Sequence, residues 1–396
     1  MTTTTLAPPP VGPAPVSSPR PPSPMRPRDF GLKDAALVAL SALSSLALVW
    51  VIFYQLTLLS GAFGFLVCWY TCFLVMYWLA SAEMVDRTAA SDRVVTVVVL
   101  TGAAVVLGLL AYVVLYVIVK AVPDFSWHLL TKDQKFFEIL GRHPLSSIGV
   151  AHAIVGSLEQ VGMAALIGVP VAVATAVFLN EVGGRGTRLV RTVVTAMSGT
   201  PSVIAGVFIY SILIINHVLG YSGFAAALAL FVLLLPLVTR TTEEVLRVVP
   251  SGLREASLAL GASEWRTVWS VVLPTARSGV ITAVLLGVAR AAGETAPLLF
   301  TAFGSQVMNY NVFSHPQGAL PLVVWTNVRE PENVLHVLAF EAAFVLLMLV
   351  LVLFVAARVL GRTKSEGRRR RGVGTGRLFH RGRAPVPIDL PHIGGV

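Results

Sequence analysis

Long apolar runs separated by short polar stretches set the pattern of this chain. No charged residue occurs from Ala35 to Ala82. As one helix that run would reach roughly 70 Å, more than twice the ~30 Å hydrocarbon core of a bilayer. It therefore predicts two crossings, at 35–59 and 62–81, turned at Ser60-Gly61. A polar link from Glu83 to Arg93 precedes a third apolar run at 94–119. Residues 120–146 are mixed and aromatic and read as an external segment. A fourth span is expected at 149–178, with Pro170 as a tolerated kink. Spans at 202–219 and 222–239 form a hairpin turned at Gly220, and spans at 278–300 and 334–357 flank a second external loop, 301–333. Eight spans result, without a clear internal repeat.

The polar stretch 240–277 departs from this pattern. Leu253, Ala256 and Leu260 recur at helical spacing, and so do Trp265, Val268, Trp269 and Val272. Gly261 lies where a left-handed cap would end the first helix, and Pro274 suits the first turn of the next. Two amphipathic turns kept in the loop of a membrane protein present a surface to a partner.

Composition agrees with an all-α, polytopic membrane bundle: 55% of residues are hydrophobic and 13% charged, about half the charge of a soluble domain. The net charge of +10 is unevenly placed, with nine basic side chains in 362–383 against the single acid Glu366. Such a tail meets anionic lipid headgroups. Nucleic-acid binding is the other reading, but nothing else in the chain supplies a module for it, so no nucleic-acid partner is expected. Basic residues also fill the loop with Arg185, Arg188 and Arg191 and the stretch 240–277, which holds five. The loops assigned outside hold four (Lys120, Lys132, Lys135, Arg142) and one (Arg329). The positive-inside rule then puts both termini and 240–277 on the cytoplasmic face. Residues 1–28 carry ten prolines and no apolar run, so residues 1–34 are expected to form an extended arm without a signal peptide. Cys68 and Cys72 are small apolar fillers, and no metal site is expected.

Within the spans, Arg290 lies about 19 Å along the helix from Arg277, with Glu294 one turn further. Charge at that depth is expensive, so the pair is either a neutralised structural contact or a station for an anionic substrate. Glu159 and Glu341 also fall inside spans, where a hydrogen-bonded carboxylate is favoured over a pathway role. Thr200 and Ser202, in Gly199-Thr200-Pro201-Ser202, sit at a helix start that either binds an anion or is simply capped by them. A phosphate loop requires Gly-Lys-Ser/Thr, and none of the five lysines follows a glycine. Transport energy from ATP would therefore arrive through another polypeptide, and Glu255–Pro274 is the candidate contact.

That segment resembles the EAA loop of ABC-importer permeases: Glu255-Ala256-Ser257, then Gly261, then Val271-x-Leu273-Pro274. Arg240-Thr241-Thr242-Glu243, Val249-Pro250-x-x-Leu253-Arg254-Glu255-Ala256, Pro201-Ser202-x-x-x-Gly206-x-Phe208 and Ala289-Arg290-x-x-Gly293-Glu294-Thr295-Ala296-Pro297 narrow the resemblance to the PstA-type permeases of phosphate importers. The resemblance implies a six-span type I permease core over 94–360, with an extra hairpin and link at 35–93 and a basic cytoplasmic tail at 361–396. It implies coupling to the ATPase through Glu255, Ala256 and Gly261, with Leu260 and Trp265 beside them, and a substrate pathway at Arg290, Glu294 and Thr295. The implied partners are a second, PstC-like permease, a dimer of ATPase subunits carrying ATP-Mg, and an external phosphate-binding protein at the bacterial inner membrane. Another oxyanion, molybdate or tungstate, is the alternative substrate. An ion-coupled transporter using Glu159, Glu294 and Glu341 as proton carriers is disfavoured, because it leaves the loop spacing unexplained.

Overall fold

The computed structural model describes residues 31–56, 61–84, 86–135 and 148–361, so most of the proline-rich arm, the turn at Ser60 and the basic tail lie outside the described residues. Fourteen α-helices are described: α1 Leu32–Val51, α2 Ala62–Met84, α3 Arg87–Ala121, α4 Trp127–Thr131, α5 Ala151–Val177, α6 Thr187–Ser198, α7 Ser202–Ile209, α8 Gly223–Arg247, α9 Ser251–Ala259, α10 Glu264–Thr267, α11 Leu273–Ala292, α12 Ala296–Thr301, α13 Leu320–Asn327 and α14 Asn333–Gly361. Turns of π-helix extend α1 (Ile52–Leu56), α5 (Phe178–Val182) and α7 (Tyr210–Ile214), and one joins α10 to α11 (Val268–Val272). Among the described residues there is no strand, only a bridge between Phe303 and Gln317. Seven helices are long and apolar enough to cross a membrane, and α6 with α7 makes an eighth if that bent pair crosses as one.

The chain divides into two compact units, and the division falls inside α3, after Ala111. In the first, α1 and α2 form the expected hairpin. Trp69 Nε1 donates to the Ala42 carbonyl at 3.2 Å, and Phe53 meets Phe65 edge-on. The polar link is much shorter than the sequence implies, because Glu83 still belongs to α2 and α3 begins at Arg87. Arg93 and Asp34 pair at 2.8 Å across the starts of α3 and α1.

In the second unit α5 and α11 pack on α8, and α13 packs on α14. Ala164, Ala172, Ala226, Leu230, Leu234, Val238, Ala291 and Leu298 make its main core. Small residues dominate that list because helices in lipid gain by approaching closely rather than by leaving water.

Four expected boundaries are corrected. The span at 202–219 is helical only over Ser202–Ile214 and meets α6 at 105°; these 13 residues reach about 20 Å, short of the ~30 Å core. The span at 222–239 continues to Arg247, since the polar Arg240–Arg247 sequence is still helix-forming and buries Thr242 and Glu243. The span at 278–300 starts far earlier, at Glu264, and breaks after Ala292. Gly293 is a poor helix former, and the ring of Pro297 would clash with the carbonyl four residues before it. The loop 301–333 contains α13, whose apolar run is too short to read as a span.

Candidate functional site

Two interruptions in the helices meet at one cavity of about 320 Å³. One is the bend between α6 and α7 at Gly199-Thr200-Pro201, and the other is the break between α11 and α12. Ser198, Thr200, Pro201 and Ser202 line one wall, Pro236 and Arg240 of α8 a second, and Arg290 and Glu294 a third. The breaks stay close because α7 packs on α12. A Cβ on Gly206 would come within 2.6 Å of Pro297 Cα, so only glycine lets the two backbones approach this far.

Arg290 is in the last turn of α11, with its side chain 71% exposed, whereas Glu294 lies beyond the helix end and is 18% exposed. The two were expected on one helical face. They sit instead across the helix break, where Gly293 N and Glu294 N bond to the carbonyls of Arg290 and Ala291. Their closest approach, Nε to Oε1, is 3.8 Å, too long for a hydrogen bond and weak at such exposure. Neither the Arg240 nor the Arg290 guanidinium makes a hydrogen bond among the described residues, so both border the cavity with their donors unspent. Thr295, half-buried, takes the N-cap position of α12 without capping it. Thr200 and Ser202 do not cap α7 either: Pro201 holds that position, and the Thr200 hydroxyl donates to the Ala196 carbonyl at 3.3 Å. Arg240 was missed as a cavity residue in the sequence, where it counted among the basic residues of 240–277 and as the start of the Arg240-Thr241-Thr242-Glu243 motif.

The residues expected to face an ATPase are together and open. Glu255, Ala256, Leu260, Gly261 and Trp265 are all exposed, Leu260 at 88% and Trp265 at 63%. Gly261 has φ +81°, the left-handed conformation expected of it. Its N–H bonds to Leu258 O at 2.9 Å and that of Ala262 to Ser257 O at 3.2 Å, the paired bonds of a Schellman cap. Trp265 stacks edge-on to Trp269 at 5.5 Å. Pro274 stands in the first turn of α11, directly after a π turn.

Glu159 and Glu341 lie elsewhere. Glu159 accepts from Gln317 Nε2. Gln317 Oε1 accepts from the fully buried Gln160 at 3.1 Å, and Gln160 also donates to the Gly318 carbonyl. Glu341 is buried in α14 at 3% exposure. Among the described residues no cluster of histidine, cysteine or carboxylate could hold a metal ion.

Residues 168–366 match the family described as "binding-protein-dependent transport system inner membrane component". The phosphate transport system permease protein PstA 1 of Mycobacterium tuberculosis is 40% identical over 56% of this chain and 72% of its own length. The phosphate transport system permease protein PstA of Haemophilus influenzae is 36% identical over 66% of this chain and 90% of its own. A chain of the MetNI methionine ABC transporter, solved in an inward-facing conformation, is 24% identical over 54% of this chain and 93% of its own, with a TM-score of 0.42. These sequence matches place the chain: it belongs to the binding-protein-dependent inner-membrane permeases, among the PstA proteins, and is a multi-pass protein of the bacterial inner membrane.

Proposed function

We propose that this chain is the transmembrane permease of an ATP-driven phosphate importer, forming half of the translocation pathway beside a second, PstC-like permease. The observation that carries this reading is the cavity bordered by Arg240 and Arg290 at two helix breaks. Guanidinium groups hold phosphate oxygens through paired, charge-assisted hydrogen bonds. Breaks in a spanning helix expose backbone groups that only a lined cavity tolerates, and Ser202 puts a helix start at its wall. Glu294 supplies the discrimination. Phosphate near neutral pH keeps a proton that a carboxylate can accept as a hydrogen bond, whereas sulfate has none and meets repulsion. Thr295 and the Thr200 hydroxyl are further polar neighbours of the passing ion.

ATP with magnesium belongs to a pair of ATPase subunits, since no lysine here has a phosphate-loop context. Those subunits dock on Glu255, Ala256, Leu260, Gly261 and Trp265, with both termini on the same, cytoplasmic side. Residues 94–360 form the permease core, and 35–93 is an added hairpin and link. An external binding protein delivers phosphate, and the arginine tail rests on anionic lipid.

The test is uptake by the purified importer in ATP-loaded proteoliposomes. Phosphate should enter, with molybdate and tungstate competing poorly. Arg290→Ala should lower uptake about 10- to 100-fold, the worth of a charged hydrogen-bonded contact. Full uptake by that variant would remove Arg290 from the pathway, and preferred uptake of molybdate would reassign the substrate.

A further inference from the structure

Helix α9 carries the exposed coupling residues, yet none of its own residues is buried. It packs chiefly on α10 and the π turn Val268–Val272, the start of the span Glu264–Ala292, helped by a 2.9 Å hydrogen bond between the Ser257 and Thr267 hydroxyls. One side chain ties it to two further spanning helices as well. Arg254 Nε and Nη2 donate to Glu181 Oε2 and Oε1 at 3.0 and 2.8 Å. The same guanidinium donates to the carbonyls of Val249 at 2.7 Å and Leu246 at 2.9 Å. It thus joins α9, the end of α5 and the end of α8. Glu181 is 7% exposed and Arg254 23%, so water does little to screen the fork. Asn180 Nδ2, at 2.6 Å, donates to Glu181 Oε1 and holds it in place.

Glu181 closes a continuous helical run, Ala151–Val182, of 32 residues, about 48 Å long. A continuous helix of that length, even one carrying Pro170, passes a displacement at one end along the chain toward the other. At its far end Glu159 and Gln160 grip the loop containing Gln317.

We propose that the Arg254–Glu181 fork is the link that passes movement of α9 to α5, making Arg254 a positioning residue for transport. The proposal rests on the reading of this chain as an ATP-driven permease. A hydrophobic contact could slide under load, whereas a largely buried bidentate ion pair moves as one body with both helices.

The test uses the whole importer. A spin label at Leu166→Cys, an exposed position on α5, is placed in a background lacking Cys68 and Cys72, and its movement on ATP binding is followed. Arg254→Ala and Glu181→Gln should suppress that movement and cut phosphate imported per ATP hydrolysed about 2- to 30-fold, while the ATPase still co-purifies. Arg254→Lys, which keeps charge but loses the fork, should fall between. The exchanged pair, Arg254→Glu with Glu181→Arg, should regain movement relative to either single change. Unchanged label movement in Arg254→Ala would overturn the proposal. So would loss of the co-purifying ATPase in both single variants without recovery in the exchanged pair, since the fork would then only hold the fold. A wild-type importer whose label responds to ATP but which moves no phosphate would instead refute the substrate assignment, and the label would still judge the fork.

Discussion

Arg240 of α8 and Arg290 of α11 border one cavity. An anion entering it would be attracted by both charges. Their geometry makes Arg290→Lys informative, because lysine keeps the charge and loses the paired donors. Uptake by that variant is expected between wild type and Arg290→Ala, measured with labelled phosphate in the same vesicles. Glu294→Gln should behave differently. The amide oxygen leaves phosphate only a weaker, neutral acceptor for its proton and spares sulfate the repulsion, so the phosphate-to-sulfate preference should drop about 10-fold or more, read by competition. Gly206 tests the framework of the cavity: Gly206→Ala would push Pro297 away and destabilise the importer by about 1–3 kcal/mol, seen as a lowered melting midpoint. Arg290 and Glu294 were legible in the sequence because charge inside an apolar run is conspicuous. Their separation across a break was not, since an apolar run hides where the backbone stops being helical. The signals were present in Gly293 and Pro297, but hydropathy does not weigh them.

Among the elements, the pair α9 and α10 was the most legible. A glycine between two amphipathic turns demands a left-handed residue, and Gly261 adopts it. Gly261→Ile places a branched side chain in that conformation at a cost of about 1–2 kcal/mol. The expected outcome is a frayed α9 and reduced ATPase stimulation, with the permease still inserted in the membrane. The short α13 and the bent pair of α6 and α7 were not legible. The stretch 202–219 reads as a span and 301–333 as a loop, because single-sequence reading has only span or loop to offer. In the structure Ser157 Oγ accepts the Leu320 N–H at 2.8 Å at the start of α13, a bond between residues far apart in the chain that no local pattern announces.

Considered as a whole molecule, the chain makes a simple topological statement testable by thiol labelling. Cysteines introduced one at a time at Ala262 and Arg383 should react from the same side of the membrane, and one at Ser305 from the other. Accessibility of Ala262 and Ser305 from one side would reverse the assignment of the coupling surface. The net around Gln317 has a consequence of its own for dynamics. The segment 302–319 has little regular structure and would ordinarily exchange its amide hydrogens within seconds. Yet Gln317 N bonds to the Ala302 carbonyl and Phe224 N to that of Val312, while the Gln317 side chain is wedged where a Cβ on Gly223 would have no room. Hydrogen exchange at Gln317 should therefore be as slow as in α5 and α8 themselves. A connecting loop held in this way hangs from one peg, and movement of α5 reaches it there.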